Sequence, residues 1–388
     1  MSFGAIVATG SDNALLSAGL AECLIEVRVE QTLDEPARFG IRVREDLSAG
    51  EPMAARASEL RPERMVTVAV PHDGGLVCLV RGPITDTQAQ HTLGGPGSWF
   101  EVHGTDRRVE LSRECFQYAW EGRASDAARQ ILSSNGFTVD VQDTNRQYAA
   151  NTQTLNQRGT DLDFLKTIAR ENGFFLWITY DTTRSGLDPS GGSLNVVETA
   201  HFSSSPFRGL GPGGVPPSIA SIQLAPSATP VIRASTADEC ANNVTRFEVR
   251  EEVERPNAAN VTAVDAGSVR EERSSASDPQ SPVATGGQAL SDVTGLQRTL
   301  CVTAPGNAEE ARGRAEAALV EAGWFITARA STTAHMLRGI LQPHDIVEVQ
   351  GVGSRNSTPF RVKKVTHVIT ASDHYMDLEL QSNSHLER

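Results

Sequence analysis

Long apolar runs are absent from this sequence, and the longest, Phe174 to Ile178, is far shorter than a membrane-spanning helix, which needs about 18 residues. The segment from Met1 to Leu20 also lacks the basic start and continuous apolar core of a secretion signal. We therefore expect a protein that does not insert into membranes and that is made and kept in a cytoplasm.

Aromatic residues and runs of positive charge are scarce as well. Aromatics make up 5% of the chain, and 48 Asp and Glu outnumber 35 Lys and Arg, which leaves a formal net charge of −13. A protein that binds the phosphate backbone needs a basic stripe. The composition therefore predicts no specific binding of nucleic acid. With 39% hydrophobic residues, 33 Gly and 19 Pro, the 388 residues are typical of a globular, turn-rich protein of two or three domains.

Cysteine pairs are missing too. The five cysteines lie far apart, form no CxxC motif and are odd in number, so neither a zinc site nor a disulfide framework is indicated. We expect most of them to be reduced, buried and small apolar core residues.

The sequence contains no recognisable catalytic motif. It has neither a zinc-binding HExxH helix nor a GxSxG nucleophile elbow. Gly209, Gly211 and Gly214 match GxGxxG, but Ser and Pro flank them where a nucleotide site needs a strand and a helix. The neighbouring carboxylates Asp161 and Asp163 lie on different sides of a helix. The sequence therefore predicts no catalytic, cofactor-binding or metal-binding residues and no cofactor.

Isolated residues that could mark a site have simpler structural interpretations. We interpret His367, inside an apolar strand, as a polar-face or hydrogen-bonded strand residue. Trp177 and Trp324 lie in apolar strands and are expected to anchor the core rather than to bind sugars.

Residues 1–104 form a first predicted domain of short strands. Partial alternation of apolar and polar residues, interrupted by turns such as Asp34 to Pro36, indicates a small antiparallel barrel or sandwich. The predicted strands are 22–33, 37–45, 65–70, 75–84 and 99–104.

Residues 105–200 form a predicted α+β insert. Ser125 is expected to cap a helix that ends at Gly136, and Thr160 to cap a second helix with Asp163 in its first turn. Strands 174–180 and 193–198 follow as a hairpin. Residues 201–218, rich in Gly, Pro and Ser, are predicted to be a linker.

Residues 219–388 form a second predicted β domain that resembles the first in layout. It contains a polar loop, 265–287, and a helix, 307–322, that Asn307 and Glu310 open. The predicted strands are 219–224, 243–253, 324–330, 345–349, 359–370 and 375–381.

Several motifs resemble one family of phage proteins. From Asn156 to Ile178 a polar strand leads into a helix with Asp-Phe-Leu, an acidic residue, Gly and an aromatic strand. Further motifs follow the same order along the chain: Pro36 with Phe39, Val102 to Asp106, Leu337 to Gly339, Pro343 to Asp345, Gly351, Phe360 to Val362 and Val365 to His367. Together they resemble phage tail baseplate hub proteins, namely the late control protein D family and the hub portion of VgrG-type spikes.

The resemblance implies a mainly β, α+β fold: two tube-like antiparallel β-barrel domains with a small α+β insert between them. It implies a structural, non-enzymatic hub at the tip of a contractile phage tail or phage-derived injection system. The hub is expected to be a homotrimer that adapts the sixfold tail tube to the threefold spike, since three subunits with two barrels each present six similar units.

The expected partners are the tail tube protein, a separate spike protein, other baseplate proteins and a tape-measure protein. The expected location is the tail baseplate of a virion or injection-system particle assembled in the bacterial cytoplasm. We expect the acidic chain to line the channel with negative charge. Segments 85–98 and 265–287 are expected to touch neighbouring subunits or tail proteins.

Two functions of other classes remain open at this point. A tail-associated cell-wall hydrolase would use acidic residues as general acid and base. A carbohydrate-binding β protein would use Trp99 or Trp120 as exposed platforms.

Overall fold

The computed structural model describes residues 3–45, 58–92, 97–150, 154–185, 192–204, 230–235, 241–265, 270–277, 288–305 and 308–385. The strands in these residues are β1 (Ile6–Thr9), β2 (Ala14–Leu15), β3 (Leu24–Thr32), β4 (Arg38–Arg44), β5 (Met65–His72), β6 (Gly75–Gln90), β7 (Trp99–Thr105), β8 (Cys115–Trp120), β9 (Gly122–Arg123), β10 (Thr138–Val141), β11 (Gln147–Tyr148), β12 (Leu155–Thr160), β13 (Phe175–Ser185), β14 (Ser193–Ser203), β15 (Val231–Arg233), β16 (Arg246–Glu251), β17 (Ala258–Asp265), β18 (Arg270–Ser277), β19 (Thr299–Pro305), β20 (Ile326–Thr333), β21 (Ile346–Gln350), β22 (Pro359–Ile369) and β23 (His374–Ser382). The α-helices are Ala18–Glu22, Ala124–Ser134, Asp161–Glu171, Leu290–Val293, Ala308–Ala322 and Ala334–Leu337, with 3-10 turns at Ser58–Leu60 and Arg107–Ser112.

The first β unit consists of β3 to β7 in the spatial order β5-β6-β7-β4-β3, with all pairs antiparallel. Along β3 and β4, apolar residues such as Val27, Val29 and Ile41 alternate with charged ones and are fully buried in one core. The apolar residues of this alternation therefore face the core of the unit, and the charged residues face outward.

The second β unit has the order β21-β22-β23-β20-β16, again with antiparallel neighbours. Its separate core includes Phe325, Phe360 and Met376. The two units share one sheet because β3 pairs antiparallel with β22, from Val27 opposite Ile369 to Thr32 opposite Lys364. The mainly β, α+β fold class that the resemblance implies is confirmed.

The two β units are repeats of the same design. Each consists of a hairpin-like pair (β3-β4 or β16-β20), one outer strand (β5 or β21) and a second pair (β6-β7 or β22-β23), in the same chain order and the same spatial order. Pro62 and Pro343 precede the outer strands, and the next residues, Glu63 and His344, both have a positive φ, of 67° and 78°.

Backbone hydrogen bonds at these corners also correspond. The Glu63 N–H donates to the Ile84 carbonyl at 2.8 Å, and the His344 N–H donates to the Val362 carbonyl at 3.0 Å. One residue beyond Ile84 and Val362 both strands have a bulge, at Thr85 in β6 and at Lys363 in β22. An irregularity placed alike in two strands is a specific feature of the fold, and it fixes the alignment of the two repeats.

The insert between the repeats has its own core around the helices Ala124–Ser134 and Asp161–Glu171. The predicted cap of the second helix is confirmed: the Thr160 hydroxyl accepts a hydrogen bond from the Asp163 N–H at 3.1 Å. The predicted Ser125 cap is wrong. The first helix begins at Ala124, the Asp126 carboxylate caps the Arg123 N–H, and Ser125 is buried against Thr144.

The linker and loop predictions need correction where the structure describes them. Residues 201–203 of the predicted linker 201–218 belong to β14, because they pair with β13 and β10. Residues 205–229, with the predicted strand 219–224 and the three glycines of GxGxxG, lie outside the described residues. In the predicted loop 265–287, residues 270–277 form β18, which pairs along its whole length with β17.

A second, smaller α/β element was not predicted. The strands β17, β18 and β19 form a three-stranded sheet that packs on the helix Ala308–Ala322, which agrees with the predicted helix 307–322 from Ala308 onward. Asn307, its expected cap, is outside the described residues. The helix contacts the first insert, where Arg314 forms a 3.0 Å ion pair with Glu171. The two inserts therefore touch, although the first lies between the repeats and the second interrupts the second repeat.

Candidate interaction surface

One broad polar surface covers both repeats. We define the polar face as the exposed side of the eight adjacent strands β6-β7-β4-β3-β22-β23-β20-β16. Strand registers bring together the acidic residues Glu26, Glu30, Asp86, Glu101, Glu248, Asp377 and Glu379 and the basic residues Arg28, Arg38, Arg42, Arg44, Arg246, Arg250, Arg329 and Lys364.

Charges of both signs are interspersed on the polar face. Arg42 donates to Glu101 at 2.7 Å and lies over the Trp99 ring at 4.7 Å, and Lys364 contacts Glu30 across the joint between the repeats at 3.1 Å. Such partly exposed pairs contribute little stability each. The face is therefore nearly neutral, although the chain carries −13, so most of the negative charge lies elsewhere.

A buried histidine chain lies directly beneath the joint. His367 of β22 is fully buried; its Nδ1 is 2.9 Å from His374 Nε2, and its Nε2 is 3.2 Å from the Gln31 amide oxygen of β3. The Gln31 amide nitrogen donates to the Leu79 carbonyl at 2.6 Å. The interpretation of His367 as a hydrogen-bonded strand residue is confirmed, and its role is to link the two repeats.

Burial shifts the titration of both rings. It lowers the pKa of His367 well below its usual value, and the neighbouring His374 lowers it further. Burial also lowers the pKa of His374 to about 4. Both histidines are therefore neutral at pH 7, where one ring nitrogen donates and the other accepts.

Aromatic and histidine rings join the first insert to the second repeat. The His344 ring lies 4.6 Å from Trp177, which stacks on His201 at 4.7 Å, while the Arg361 guanidinium stacks on Trp324 at 3.7 Å. Trp177 and Trp324 are both buried, so their predicted role as core anchors is confirmed. Burial lowers the pKa of His344 well below its usual value, with the nearby Arg361 adding to the effect.

A buried ion pair joins the first repeat to the same insert. The Asp106 carboxylate accepts from the Arg108 guanidinium at 2.7 Å and from the Ala37 N–H at 2.6 Å. Arg108 also donates to the carbonyls of Leu176 at 2.8 Å and Glu35 at 3.0 Å. One side chain therefore connects three segments that are far apart in sequence.

The described residues lack the features of a metal site, a membrane-spanning helix or a sugar-binding platform. Within them, His, Cys, Asp and Glu side chains never gather in groups of three that could hold a metal ion. In the same part of the chain, no helix combines the length and hydrophobicity that crossing a bilayer requires. Trp99 is covered by Arg42, and Trp120 stacks on Phe164 and donates to Gln157 at 2.9 Å. Neither indole therefore offers the open platform that carbohydrate binding would use.

The cysteine prediction holds only in part. Cys78 is buried and burial raises its pKa to about 12, but Cys115 and Cys301 are exposed free thiols. Composition alone does not predict which cysteines are exposed. Cys115 lies on β8, whose only strand partner among the described residues is β12.

A scan against protein-family models finds no match to the sequence, and a search of curated proteins finds none either. Solved structures do match the fold. A tail protein from Neisseria meningitidis MC58 is 14% identical with a TM-score of 0.62, and the match covers 99% of this chain and 97% of that one. The 43 kDa tail protein of prophage MuSo2 from Shewanella oneidensis is also 14% identical, with a TM-score of 0.59 and 98% coverage of each chain.

A third match is an E. coli component of the type VI secretion system, described as structurally similar to the T4 bacteriophage tail proteins gp27 and gp5. It is 10% identical with a TM-score of 0.51, covering 97% of this chain and 77% of that one. The chain therefore has the fold of phage tail proteins, and the resemblance seen in the sequence is confirmed at the level of fold.

Proposed function

We propose that this protein is a structural baseplate hub, a homotrimer at the tip of a contractile tail or a related injection system. The observation that carries the proposal is the repetition of one five-stranded unit within a single continuous sheet. Three chains with two units each would present six similar surfaces to a sixfold tube while keeping threefold symmetry toward a spike.

The polar face is the proposed wall of the central channel. Three chains would supply 24 strands, and at about 4.8 Å between strands these enclose a ring about 37 Å in diameter before side chains are counted. The nearly neutral mixture of charges replaces the acidic wall expected from composition. Ion pairs such as Arg42 with Glu101 and the close mixing of both signs leave no block of like charge to hold a passing polymer.

The fold of tail proteins supports a structural role in such an assembly. The proposed partners are the tail tube protein, a spike protein, other baseplate proteins and a tape-measure protein. The proposed location is the tail baseplate of the particle after assembly in the bacterial cytoplasm. We propose no enzymatic activity, because the charges of the polar face are spread over eight strands and the buried histidines lie in structural joints.

Affinity capture tests this proposal. The tagged chain is expressed in its native host while tails assemble, and co-purifying chains are identified by mass spectrometry. We expect tube, spike and baseplate proteins, with tail-shaped particles in negative stain. Recovery of the chain alone, while untagged tails assemble normally in the same cells, would reject the hub function.

A further inference from the structure

We propose that residues 85–90 of β6 in one subunit pair antiparallel with β16 of the next subunit, so that the sheet continues unbroken across the subunit boundary. The inference rests on the proposed trimer and adds to it a specific interface, with the partner being a second copy of this chain. Its basis is the joint that the chain already makes between its own repeats.

Inside the chain, β22 changes partners along its length. Its first residues pair with β21, and after the bulge at Lys363 residues 364–369 pair with β3. The equivalent strand β6 begins in the same way, paired with β5 up to Pro83. After the bulge at Thr85, residues 85–90 pair with β7 alone, and among the described residues no strand occupies their other edge.

The opposite end of the sheet has the complementary free edge. In the first repeat, β3 pairs with β4 on one side and with β22 on the other. Its equivalent β16 pairs with β20, and within the described residues its second edge has no strand partner. Each chain therefore carries one copy of each half of the β22–β3 joint, at opposite ends of the eight-strand polar face.

The internal joint also fixes the register. Thr366 and Gln88 each lie three residues beyond the bulged residue of their strand. The residues directly across the sheet from Thr366 are Asp377, Ser331 and Arg246. The residues directly across from Gln88 are Glu101, Arg42 and Glu26. Arg246 of β16 is therefore equivalent to Glu26 of β3, and four residues further along Arg250 is equivalent to Glu30.

Because Thr366 lies opposite Glu30 inside the chain, Gln88 of one subunit is expected opposite Arg250 of the next. Ala89 then meets Val249, and Gln90 meets Glu248. Arg250 lies diagonally across from Asp86, a distance that a long side chain spans. At the end of this pairing Asp86 faces Glu252, and Arg250 lies close enough to Asp86 to offset the repulsion between the two carboxylates.

The two edges lack proline and lysine, two residues that often protect free strands. Proline and lysine block pairing at many exposed edges, and neither occurs in 85–90 or 246–251. The backbone of both edges is therefore open to pairing, and the charged side chains on them are compatible with the opposite charges that the register brings together. The expectation from the sequence that segment 85–98 touches a neighbouring subunit thus becomes a specific strand pairing, although residues 85–90 are a strand rather than a loop.

Disulfide trapping tests the register. All variants carry Cys23→Ser, Cys115→Ser, Cys240→Ser and Cys301→Ser, which leaves only the buried Cys78 as a background thiol. The test pair is Gln88→Cys with Arg250→Cys, and the matched control is Gln88→Cys with Arg246→Cys, all at exposed positions on the same face. Arg246 lies four residues from Arg250, about 13 Å along the strand, whereas a disulfide needs Cα atoms within about 7 Å.

An intrachain bond cannot mimic the result, because seven strand spacings of about 4.8 Å separate the two edges of one subunit. After mild oxidation we expect the test pair to run as a covalent trimer on a non-reducing gel. We expect the control pair and each single variant to remain uncrosslinked. Mass photometry of the same samples reports assembly independently of the disulfide.

The outcomes separate the two proposals. Trimers by mass photometry without selective cross-linking of the test pair would overturn this pairing and leave the hub function standing. Equal cross-linking of test and control pairs would also overturn it, since it would indicate loose contact rather than a fixed register. Monomers under all conditions would reject both the pairing and the trimeric hub.

Discussion

Replacing Arg108 by Met is expected to lower the free energy of unfolding by about 3–5 kcal/mol, the range typical of breaking a buried ion pair by removing one partner. Asp106 is 1% exposed and would lose the guanidinium that is its main partner. The carbonyls of Glu35 and Leu176 would lose their donor at the same time. The first repeat and the insert should then separate more easily.

Urea unfolding followed by tryptophan fluorescence measures this effect, because Trp177 lies in the same strand of the insert as Leu176. Arg329→Met is the matched control. Arg329 is exposed, and its ion pair with Glu379 is long, with 3.8 Å between the nitrogen and the oxygen. The control should change stability little. A loss of unfolding free energy below about 1 kcal/mol for Arg108→Met would contradict the role of this side chain as the connection between the first repeat and the insert.

Acid is expected to destabilise the joint between the repeats. A histidine whose folded pKa lies below its unfolded value binds fewer protons when folded, so its contribution to stability is complete above pH 6.5 and is lost as the pH falls. For His374, with a pKa of about 4, the loss runs from about pH 6.5 to pH 4. At about 1.4 kcal/mol per pH unit, it amounts to about 3 kcal/mol.

His374→Gln isolates this effect, because glutamine can still hydrogen-bond to His367 but does not titrate. Between pH 7 and pH 4 we expect the unfolding free energy of the wild type to fall by about 3 kcal/mol more than that of the variant. Burial raises the pKa of Asp345 to about 6, which acts in the opposite direction, but this group is common to both proteins and cancels. Parallel pH curves for the two proteins would contradict the account of the joint.

Local signals in the sequence predicted much of the fold. The alternation in β3 and β4, the Thr160 cap and the helix from Ala308 were all readable, because each depends on residues a few positions apart. The strands at residues 85–90 and 270–277 were missed because each is polar except for one alanine and has no apolar alternation. Their strand form comes from pairing with β7 and β17, which composition does not reveal.

The candidate surface was beyond sequence reasoning for a related reason. The charged residues of β3, β4 and β23 are those of any solvated strand face, and their meaning depends on the β3–β22 pairing, which joins residues more than 300 positions apart. The repetition left a faint trace, a Pro followed by similar strands at Pro62 and Pro343. Only the matching bulges and corner hydrogen bonds make the equivalence clear.

Single-particle electron microscopy of the purified chain tests the central claim most directly. We expect rings of three chains whose class averages seen along the axis have six similar lobes around an open channel, with one continuous sheet lining the wall. Particles of one chain, or rings whose lobes are separated by gaps in the lining sheet, would contradict it.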